Sequence, residues 1–158
     1  RLAMDEMYAV TEEKWKLEAD AHATLQELIR RGFKLGIVTN AADAADVGKI
    51  VDNHRLRIYF EAIVISADFC IRKPDPRIFA IALQRLGGEP GSAVMVGDNL
   101  VADVLGAHRA GMRAIWITRR SEDVKSNLQR NSIIPDAEIS SLEELPTLLD
   151  EWNAGSTN

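Results

Sequence analysis

Short apolar runs alternate along the chain with stretches in which apolar residues recur every three or four positions. The runs predict four buried strands, at residues 34–38, 62–66, 93–96 and 113–118. The spaced stretches predict five helices, at residues 21–31, 42–53, 75–86, 99–110 and 141–152. Strands that alternate with helices are typical of βαβ units. The pattern therefore predicts an α/β fold, with a doubly wound, Rossmann-like parallel sheet in three layers.

Residues with special backbone preferences mark several of these boundaries. Gly32 directly follows the first predicted helix, where a left-handed cap is common. Asp75 and Pro76 are suited to the N-cap and the first position of a helix. Ser141 and Glu144 have the spacing of a capping box, which predicts the start of the closing helix.

Composition and charge narrow the class of protein. The 158 residues suffice for one domain, and 46% hydrophobic with 27% charged residues is ordinary for a globular protein. A net charge of −5 argues against a nucleic-acid surface, which relies on clustered lysine and arginine. No apolar stretch reaches the roughly 18 residues of a membrane helix. The single cysteine, Cys70, favours a reducing compartment, so we expect a cytoplasmic protein.

Two carboxylates follow the apolar run at 93–96. Gly97 and Asp98 end the run, and Asp103 comes five residues after Asp98. We expect both acids at the carboxyl edge of the parallel sheet, where α/β proteins bind ligands. Carboxylate oxygens there can hold a hard divalent cation, and magnesium is the usual one. The alternative is that Asp98 only ends the strand and caps the following helix.

Two other segments add groups suited to phosphate chemistry. Thr39 and Asn40 follow the strand at 34–38 and offer a hydroxyl and backbone amides at the mouth of a helix, a place that favours phosphate. Lys73 lies in a stiff, proline-containing loop at 72–76, just before another helix. A fixed ammonium beside a metal and a hydroxyl is suited to phosphoryl transfer, because that chemistry depends on positioning and charge neutralisation.

In their order and spacing, these segments resemble three motifs of the haloacid dehalogenase-like (HAD) hydrolases. Thr39–Asn40 resembles motif II, Lys73–Pro74–Asp75–Pro76 resembles motif III, and Gly97–Asp98 with Asp103 resembles motif IV. Most members of that family are magnesium-dependent phosphatases. The resemblance therefore implies a HAD-like fold, magnesium as the cofactor and a small phosphorylated metabolite as the substrate.

The resemblance also implies a role for each motif residue. Asp98 would bind the metal, and Asp103 would act at the metal through a bound water or by orienting Lys73. The ammonium of Lys73 would neutralise the nucleophile and the phosphoryl oxygens. The hydroxyl of Thr39 and the backbone amide of Asn40 would hold the transferring phosphoryl group.

Motif I of the family is not recognisable in this chain. It is an Asp-x-Asp sequence that follows an N-terminal strand and supplies the nucleophile and the general acid/base. The nearest match, at residues 20–24, falls where the helix at 21–31 is predicted. We therefore expect residues 1–18 to be the remnant of a helical cap with its return linker, residues 19–152 to be a HAD-like core domain without the motif I strand, and residues 153–158 to be a disordered tail.

In the family's topology, the motif I strand lies between the strands predicted here at 34–38 and 93–96. Without it, two facing strand edges would lack partners, which is costly for buried backbone groups. We therefore expect either a gap, filled by another segment or chain, or a sheet that has closed up. Direct hydrogen bonding between the two strands would support closure and weaken the hypothesis of a missing strand.

The implied function of the intact enzyme is hydrolysis of a phosphate monoester through an aspartyl-phosphate. This chain alone, as a fragment without the nucleophile, would bind magnesium weakly and turn over almost nothing. One alternative is a metal-independent haloacid dehalogenase, although those resemble Ser-Asn at motif IV, where this chain has Gly97–Asp98. Another is a HAD-like binding or scaffold domain without catalysis. A signalling receiver domain is a third, but its acids precede its hydroxyl and lysine.

The remaining polar candidates are predicted to have structural roles. The three histidines, His22, His54 and His108, occur singly, without partners at ligand spacing. Arg119 is predicted to be a solvated strand end, and Trp116 a packing residue. The pattern leaves the oligomeric state and the identity of the substrate open.

Overall fold

A computed structural model describes residues 17–120 and 132–155, in which strands and helices alternate as predicted. The strands are β1 (Gly36–Thr39), β2 (Ala62–Ile65), β3 (Val94–Gly97), β4 (Arg113–Ile117) and β5 (Ala137–Ile139). The helices are α1 (Ala21–Arg30), α2 (Ala44–Asn53), α3 (Ser66–Phe69), α4 (Pro76–Leu86), α5 (Gly106–Arg109) and α6 (Leu145–Gly155), with a π-helix at Leu100–Leu105. Most of the expected cap remnant, residues 1–16, lies outside the described residues.

Every strand pair in the structure is parallel, which confirms an α/β fold with parallel sheets. β1 pairs with β2, and Gly36 lies opposite Ala62. β3 pairs with β4, and β4 pairs with β5. Among the described residues, the strands therefore form two separate sheets, β1–β2 and β3–β4–β5. β5 has only three residues, too few to show an apolar pattern of its own.

A gap separates β1 from β3, at the position expected for the missing strand. Among the described residues, β1 pairs only with β2 and β3 pairs only with β4. The sheet has therefore not closed up by pairing the two edges. A cavity of about 620 Å³ lies at this gap, and its apolar lining includes Ile37, Val38, Phe79, Met95 and Val96.

The largest hydrophobic core joins the two sheets. Val64 of β2, Phe79 of α4, Val104 of the π-helix and Trp116 of β4 belong to one buried cluster. Each of these side chains is at most 1% exposed. Within the described ranges, side-chain packing joins the two sheets and no strand hydrogen bonds do.

Helix α4 begins and ends as predicted. The carboxylate of Asp75 accepts a hydrogen bond from the backbone amide of Arg77 at 3.0 Å, and Pro76 occupies the first helical position. Gly87 ends the helix with a φ of +62°, a left-handed conformation that favours glycine. These two ends fix where the loop that contains Lys73 enters the helix.

Helix α6 both begins and ends later than predicted, because a 3₁₀ turn at Leu142–Glu144 follows Ser141 and α6 itself starts at Leu145. The capping box of Ser141 and Glu144 is present just before it. The helix continues to Gly155, so residues 153–155 are helical and the prediction of disorder is wrong for them. Residues 156–158 lie outside the described part of the chain.

The segment after β3 differs in type from the prediction. A single α-helix was expected over residues 99–110, but the structure has the π-helix followed by the short helix α5. The side-chain oxygen of Asn99 accepts hydrogen bonds from the amides of Val101 at 3.1 Å and Ala102 at 2.8 Å, and so caps the π-helix. Segments of π-helix are rare and are frequently found at functional sites.

Candidate active site

The side chain of Asn40 holds the loop that contains Lys73. Asn40 directly follows Thr39, the last residue of β1. Its Nδ2 donates to the backbone oxygen of Lys73 at 3.0 Å, and its Oδ1 accepts from the backbone amide of Lys73 at 2.8 Å. The peptide bond between Lys73 and Pro74 is cis. The amide of Asn40 thus satisfies both backbone polar groups of Lys73 and fixes this loop at the end of β1.

Lys73 and Asp103 form a buried ion pair. The Nζ atom of Lys73 lies 2.6 Å from Oδ1 of Asp103, and their side chains are only 11% and 5% exposed. The other carboxylate oxygen of Asp103, Oδ2, accepts the backbone amide of Asn99 at 3.0 Å. Both oxygens of Asp103 are therefore engaged, and its negative charge orients Lys73. Such a pair is costly to break from one side, because the remaining charge is left buried without a partner.

Asp98 differs from Asp103 in its surroundings. It directly follows β3 and is exposed. In the part of the chain that the structure describes, its carboxylate has no hydrogen bond or ion pair. Its backbone oxygen, by contrast, accepts a hydrogen bond from Nε1 of Trp116 at 2.9 Å. The backbone of Asp98 is therefore fixed while its carboxylate is available to a ligand.

The acidic residues at this edge of the sheet provide carboxylate oxygens, the type of ligand that magnesium prefers. The described ranges hold no group of three or more histidine, cysteine, aspartate or glutamate residues that could bind a metal ion. Of the two acids described here, Asp98 is the one with unengaged carboxylate oxygens, since those of Asp103 bind Lys73 and the amide of Asn99. Magnesium commonly takes one or two carboxylates and completes its shell with water and substrate phosphates. One free carboxylate at this edge is compatible with that requirement.

A second cavity opens beside Asn40. Its volume is about 440 Å³, and Ser66, Cys70 and Arg72 also line it. The hydroxyl of Ser66 accepts the backbone amide of Ala41 at 3.1 Å and donates to the backbone oxygen of Ala41 at 3.0 Å. This cavity gives open space next to the turn that follows β1.

Three of the residues predicted to be structural have specific partners. His22 contacts the hydroxyl of Tyr59 at 3.0 Å, and His108 contacts Asp136 at 2.9 Å. Arg119 was predicted to be a solvated strand end, but its guanidinium binds a distant carboxylate, that of Asp20, at 2.9 Å, because the two chain segments fold against each other. The hydrogen bond from Arg119 lowers the pKa of Asp20 from its ordinary value.

The nearest match to motif I, at residues 20–24, belongs to this structural contact. Its aspartate, Asp20, immediately precedes α1 and accepts the backbone amide of Leu142 at 2.8 Å as well as the guanidinium of Arg119. Both of these bonds are to Oδ2, and Arg119 also donates to Oδ1 at 3.2 Å, so each carboxylate oxygen has a partner. Asp20 therefore connects the start of α1 to Arg119 and to the backbone at Leu142.

The structure brings the predicted site residues into one chain of contacts. Asn40 holds the backbone of Lys73, the side chain of Lys73 binds Asp103, and Asp103 binds the amide next to Asp98. Thr39 lies at the start of this chain, as the neighbour of Asn40. Sequence reasoning missed the side-chain role of Asn40, for which only the backbone amide had been considered.

Sequence reasoning also missed the contact of Trp116 with Asp98. The one available signal was that a buried indole N–H needs an acceptor. The partner could not be named without the register of β3 and β4, in which Trp116 lies opposite Gly97. Trp116 does pack in the core, as predicted, but its polar atom contacts the candidate site.

Comparison with known proteins identifies the family of this chain. The sequence model of a family described as haloacid dehalogenase-like hydrolase matches residues 3–117. Phosphoserine phosphatase of Thermus thermophilus is 38% identical over 134 residues, which cover 84% of this chain and 51% of that protein. The chain spans about half the length of the curated relatives that it matches.

Solved structures resemble nearly the whole described fold. A 2-haloacid dehalogenase from Pseudomonas syringae is 34% identical with a TM-score of 0.70, and the match covers 88% of this chain and 55% of that one. The HAD-hydrolase YfnB from Bacillus subtilis, solved with bound magnesium, is 27% identical with a TM-score of 0.80. That match covers 94% of this chain and 62% of the other.

No helix within the described ranges is long and apolar enough to cross a membrane.

Proposed function

The chain belongs to the haloacid dehalogenase-like hydrolase family, and we propose that it forms the larger part of a magnesium-dependent phosphatase. The substrate would be a small phosphorylated metabolite, and the reaction would pass through an aspartyl-phosphate. The observation that carries the proposal is the chain of contacts from Asn40 through Lys73 and Asp103 to the backbone beside Asp98. A cytoplasmic location remains a prediction from the single cysteine.

Lys73 is the central group of the proposed mechanism. Its ammonium is held by Asp103, at the turn fixed by Asn40, and can neutralise charge on phosphoryl oxygens. The hydroxyl of Thr39 and the backbone amide of Asn40 would hold the same group from the end of β1. Phosphoryl transfer depends mainly on such positioning and charge compensation. Asp103 serves in this scheme as a positioning residue.

Asp98 is the proposed magnesium ligand. Its exposed carboxylate is of the donor type that magnesium prefers, and a relative, YfnB, binds magnesium. When bound, magnesium would offset negative charge on the phosphoryl oxygens. Asp103 was also predicted as a metal residue, and we now propose that it acts through Lys73 and the amide of Asn99, since both of its oxygens are engaged there.

We further propose that the gap between β1 and β3 takes an additional parallel strand, which carries the nucleophilic aspartate. Among the described residues, the facing edges of β1 and β3 have no strand partner, and an inserted strand would pair with both across the apolar cavity of about 620 Å³. The carboxyl end of a parallel strand there would lie between Thr39 and Asp98. Without that strand, the chain would bind magnesium weakly and catalyse almost no hydrolysis.

The test compares the 158-residue chain with the same chain fused, ahead of Arg1, to an apolar strand that ends in Asp-x-Asp. Hydrolysis of p-nitrophenyl phosphate is measured with magnesium and with EDTA. We expect activity only in the fused protein and only with magnesium. Replacing the first aspartate of the added strand by asparagine, or Asp98→Asn, should abolish it. A normal enzymatic rate from the unfused chain would contradict the proposal.

A haloacid dehalogenase is the second candidate, because a 2-haloacid dehalogenase is among the similar structures. The family's dehalogenases resemble Ser-Asn at motif IV and work without metal, whereas this chain has Gly97 and an available carboxylate at Asp98. Release of chloride from 2-chloropropionate in EDTA by the fused protein would favour this candidate. If neither substrate reacts, the remaining alternative is a HAD-like binding or scaffold domain.

A further inference from the structure

Trp116 reaches from the core to the candidate metal ligand. It lies on β4, directly opposite Gly97 of β3, and is 1% exposed. Its ring packs among Phe79, Val104 and other members of the largest core cluster. The Nε1 atom, at the edge of the ring, donates to the backbone oxygen of Asp98 at 2.9 Å. The ring of Trp116 is therefore part of the core, while its N–H binds the backbone of the candidate site.

The peptide unit between Asp98 and Asn99 is held at both ends. Its carbonyl oxygen accepts from the indole of Trp116, and its N–H donates to Oδ2 of Asp103 at 3.0 Å. A peptide plane fixed at both ends cannot rotate without breaking one of these bonds. Because that rotation changes ψ of Asp98, the two bonds together limit the direction in which the Asp98 carboxylate leaves the backbone.

The two hydrogen bonds also strengthen each other. An acceptor that is already polarised by one donor makes the N–H of the same peptide a better donor. Asp103, which receives that N–H, also binds Lys73. The indole of Trp116 is thus linked through one peptide and one carboxylate to the ammonium proposed to neutralise the phosphoryl group.

We propose that Trp116 is a positioning residue that aims the carboxylate of Asp98 at a bound divalent cation. The inference rests on the proposed function, because it assumes that Asp98 binds the metal. Packing alone requires the apolar ring of Trp116 and not its N–H. A phenylalanine would retain most of the packing and remove the hydrogen bond, so the two roles can be separated.

The experiment titrates the 15N-labelled chain with magnesium chloride and follows the NMR signals of the Asp98 and Asn99 amides and of the Trp116 indole. Trp116→Phe removes the donor. Trp152→Phe is the matched control, because Trp152 lies on α6, where the guanidinium of Arg113 stacks on its ring. The same control identifies the indole signal of Trp152. Asp98→Asn removes the proposed ligand.

In the unmodified chain, we expect the two amides and the Trp116 indole to shift with one common dissociation constant. Trp116→Phe should bind magnesium roughly tenfold more weakly, as is typical when a group that orients a metal ligand is lost. Trp152→Phe should bind as tightly as the unmodified chain. If Trp116→Phe does not fold, the indole signal of the unmodified chain decides the question.

An unchanged magnesium affinity in folded Trp116→Phe would overturn the inference, and so would an indole signal that stays fixed while the amides of Asp98 and Asn99 move. These results leave the proposed function intact, provided that Asp98→Asn loses magnesium binding. If Asp98→Asn binds magnesium as tightly as the unmodified chain, the proposed metal site is wrong, and the inference fails with it.

Discussion

Gly97 and Asp103 are so close that position 97 has no room for a side chain. A β-carbon on Gly97 would lie 2.2 Å from Oδ2 of Asp103, far inside van der Waals contact. Gly97 is the last residue of β3, so the carboxylate of Asp103 lies directly over the end of that strand. The close approach explains why a glycine precedes Asp98.

Gly97→Ala should displace the carboxylate of Asp103 and break its bond to Lys73. Because both charges are buried, we expect a loss of about 3 kcal/mol or more in the free energy of unfolding, measured by urea denaturation. Gly91→Ala is the matched control, since a β-carbon there meets nothing within 4 Å. Equal stability of the two variants would show that Asp103 moves aside without cost.

Lys73→Met should leave Asp103 as a buried charge without its cation. We expect a loss of about 3–5 kcal/mol in the free energy of unfolding, against less than about 1 kcal/mol for Lys49→Met, which removes an exposed cation next to Asp46. Adding Asp103→Asn to Lys73→Met should recover part of the loss, because the uncompensated charge is then gone. Strictly additive effects in this double-mutant cycle would contradict a coupled pair.

Asn40→Ala should release the backbone amide of Lys73, which now donates to the side chain of Asn40. We expect hydrogen exchange at the Lys73 amide to become about fivefold faster, since one hydrogen bond contributes about 1 kcal/mol. Asn40→Asp keeps the acceptor and should preserve protection of this amide. Asn53→Ala, at the exposed end of α2, is the control and should leave exchange at Lys73 unchanged.

The contact between Asp20 and Arg119 should make stability depend on pH. The hydrogen bond from Arg119 lowers the pKa of Asp20 by more than burial raises it. A carboxyl whose pKa is lower in the folded state stabilises the fold at neutral pH, and this contribution is lost as pH falls below about 4. Asp20→Asn should therefore lower the free energy of unfolding, measured by urea denaturation at neutral pH, by about 1 kcal/mol, and the difference should shrink at about pH 3.

Asp68→Asn is the control for this pH dependence, because Asp68 is exposed on α3. Its urea midpoint should follow that of the unmodified chain at both pH values. A difference between Asp20→Asn and the unmodified chain that stays constant down to pH 3 would mean that the ionised form of Asp20 is not what stabilises the fold.

The sequence predicted the parts of the site that depend on local pattern. Thr39 and Asp98 could be placed because each comes at or just after the end of a short apolar run, and such a run is visible within a few residues. The start of α4 could be placed because Asp75 and Pro76 determine it locally. These features need no knowledge of distant contacts.

The features that depend on distant contacts could not be predicted. Residues 100–105 have apolar spacing compatible with an α-helix, so the local pattern does not indicate the π-helix that the structure has there. The indole of Trp116 and the guanidinium of Arg119 find partners far away in the chain. The separation of β1 from β3 could be predicted only as one of two outcomes, because the apolar pattern does not show which strands pair with each other.

Because the fold is divided into two sheets, a ligand that contacts both of them should raise its stability. Thr39 and Asn40 belong to the β1 side, while Asp98 belongs to the β3 side, and the two sides share no strand ladder among the described residues. A phosphorylated compound that contacts both sides would bind only the folded chain and would therefore stabilise it. At a hundred times its dissociation constant, such a compound adds about 2.7 kcal/mol to the free energy of unfolding. Thermal-shift screening of phosphorylated metabolites can therefore rank candidate substrates without any turnover.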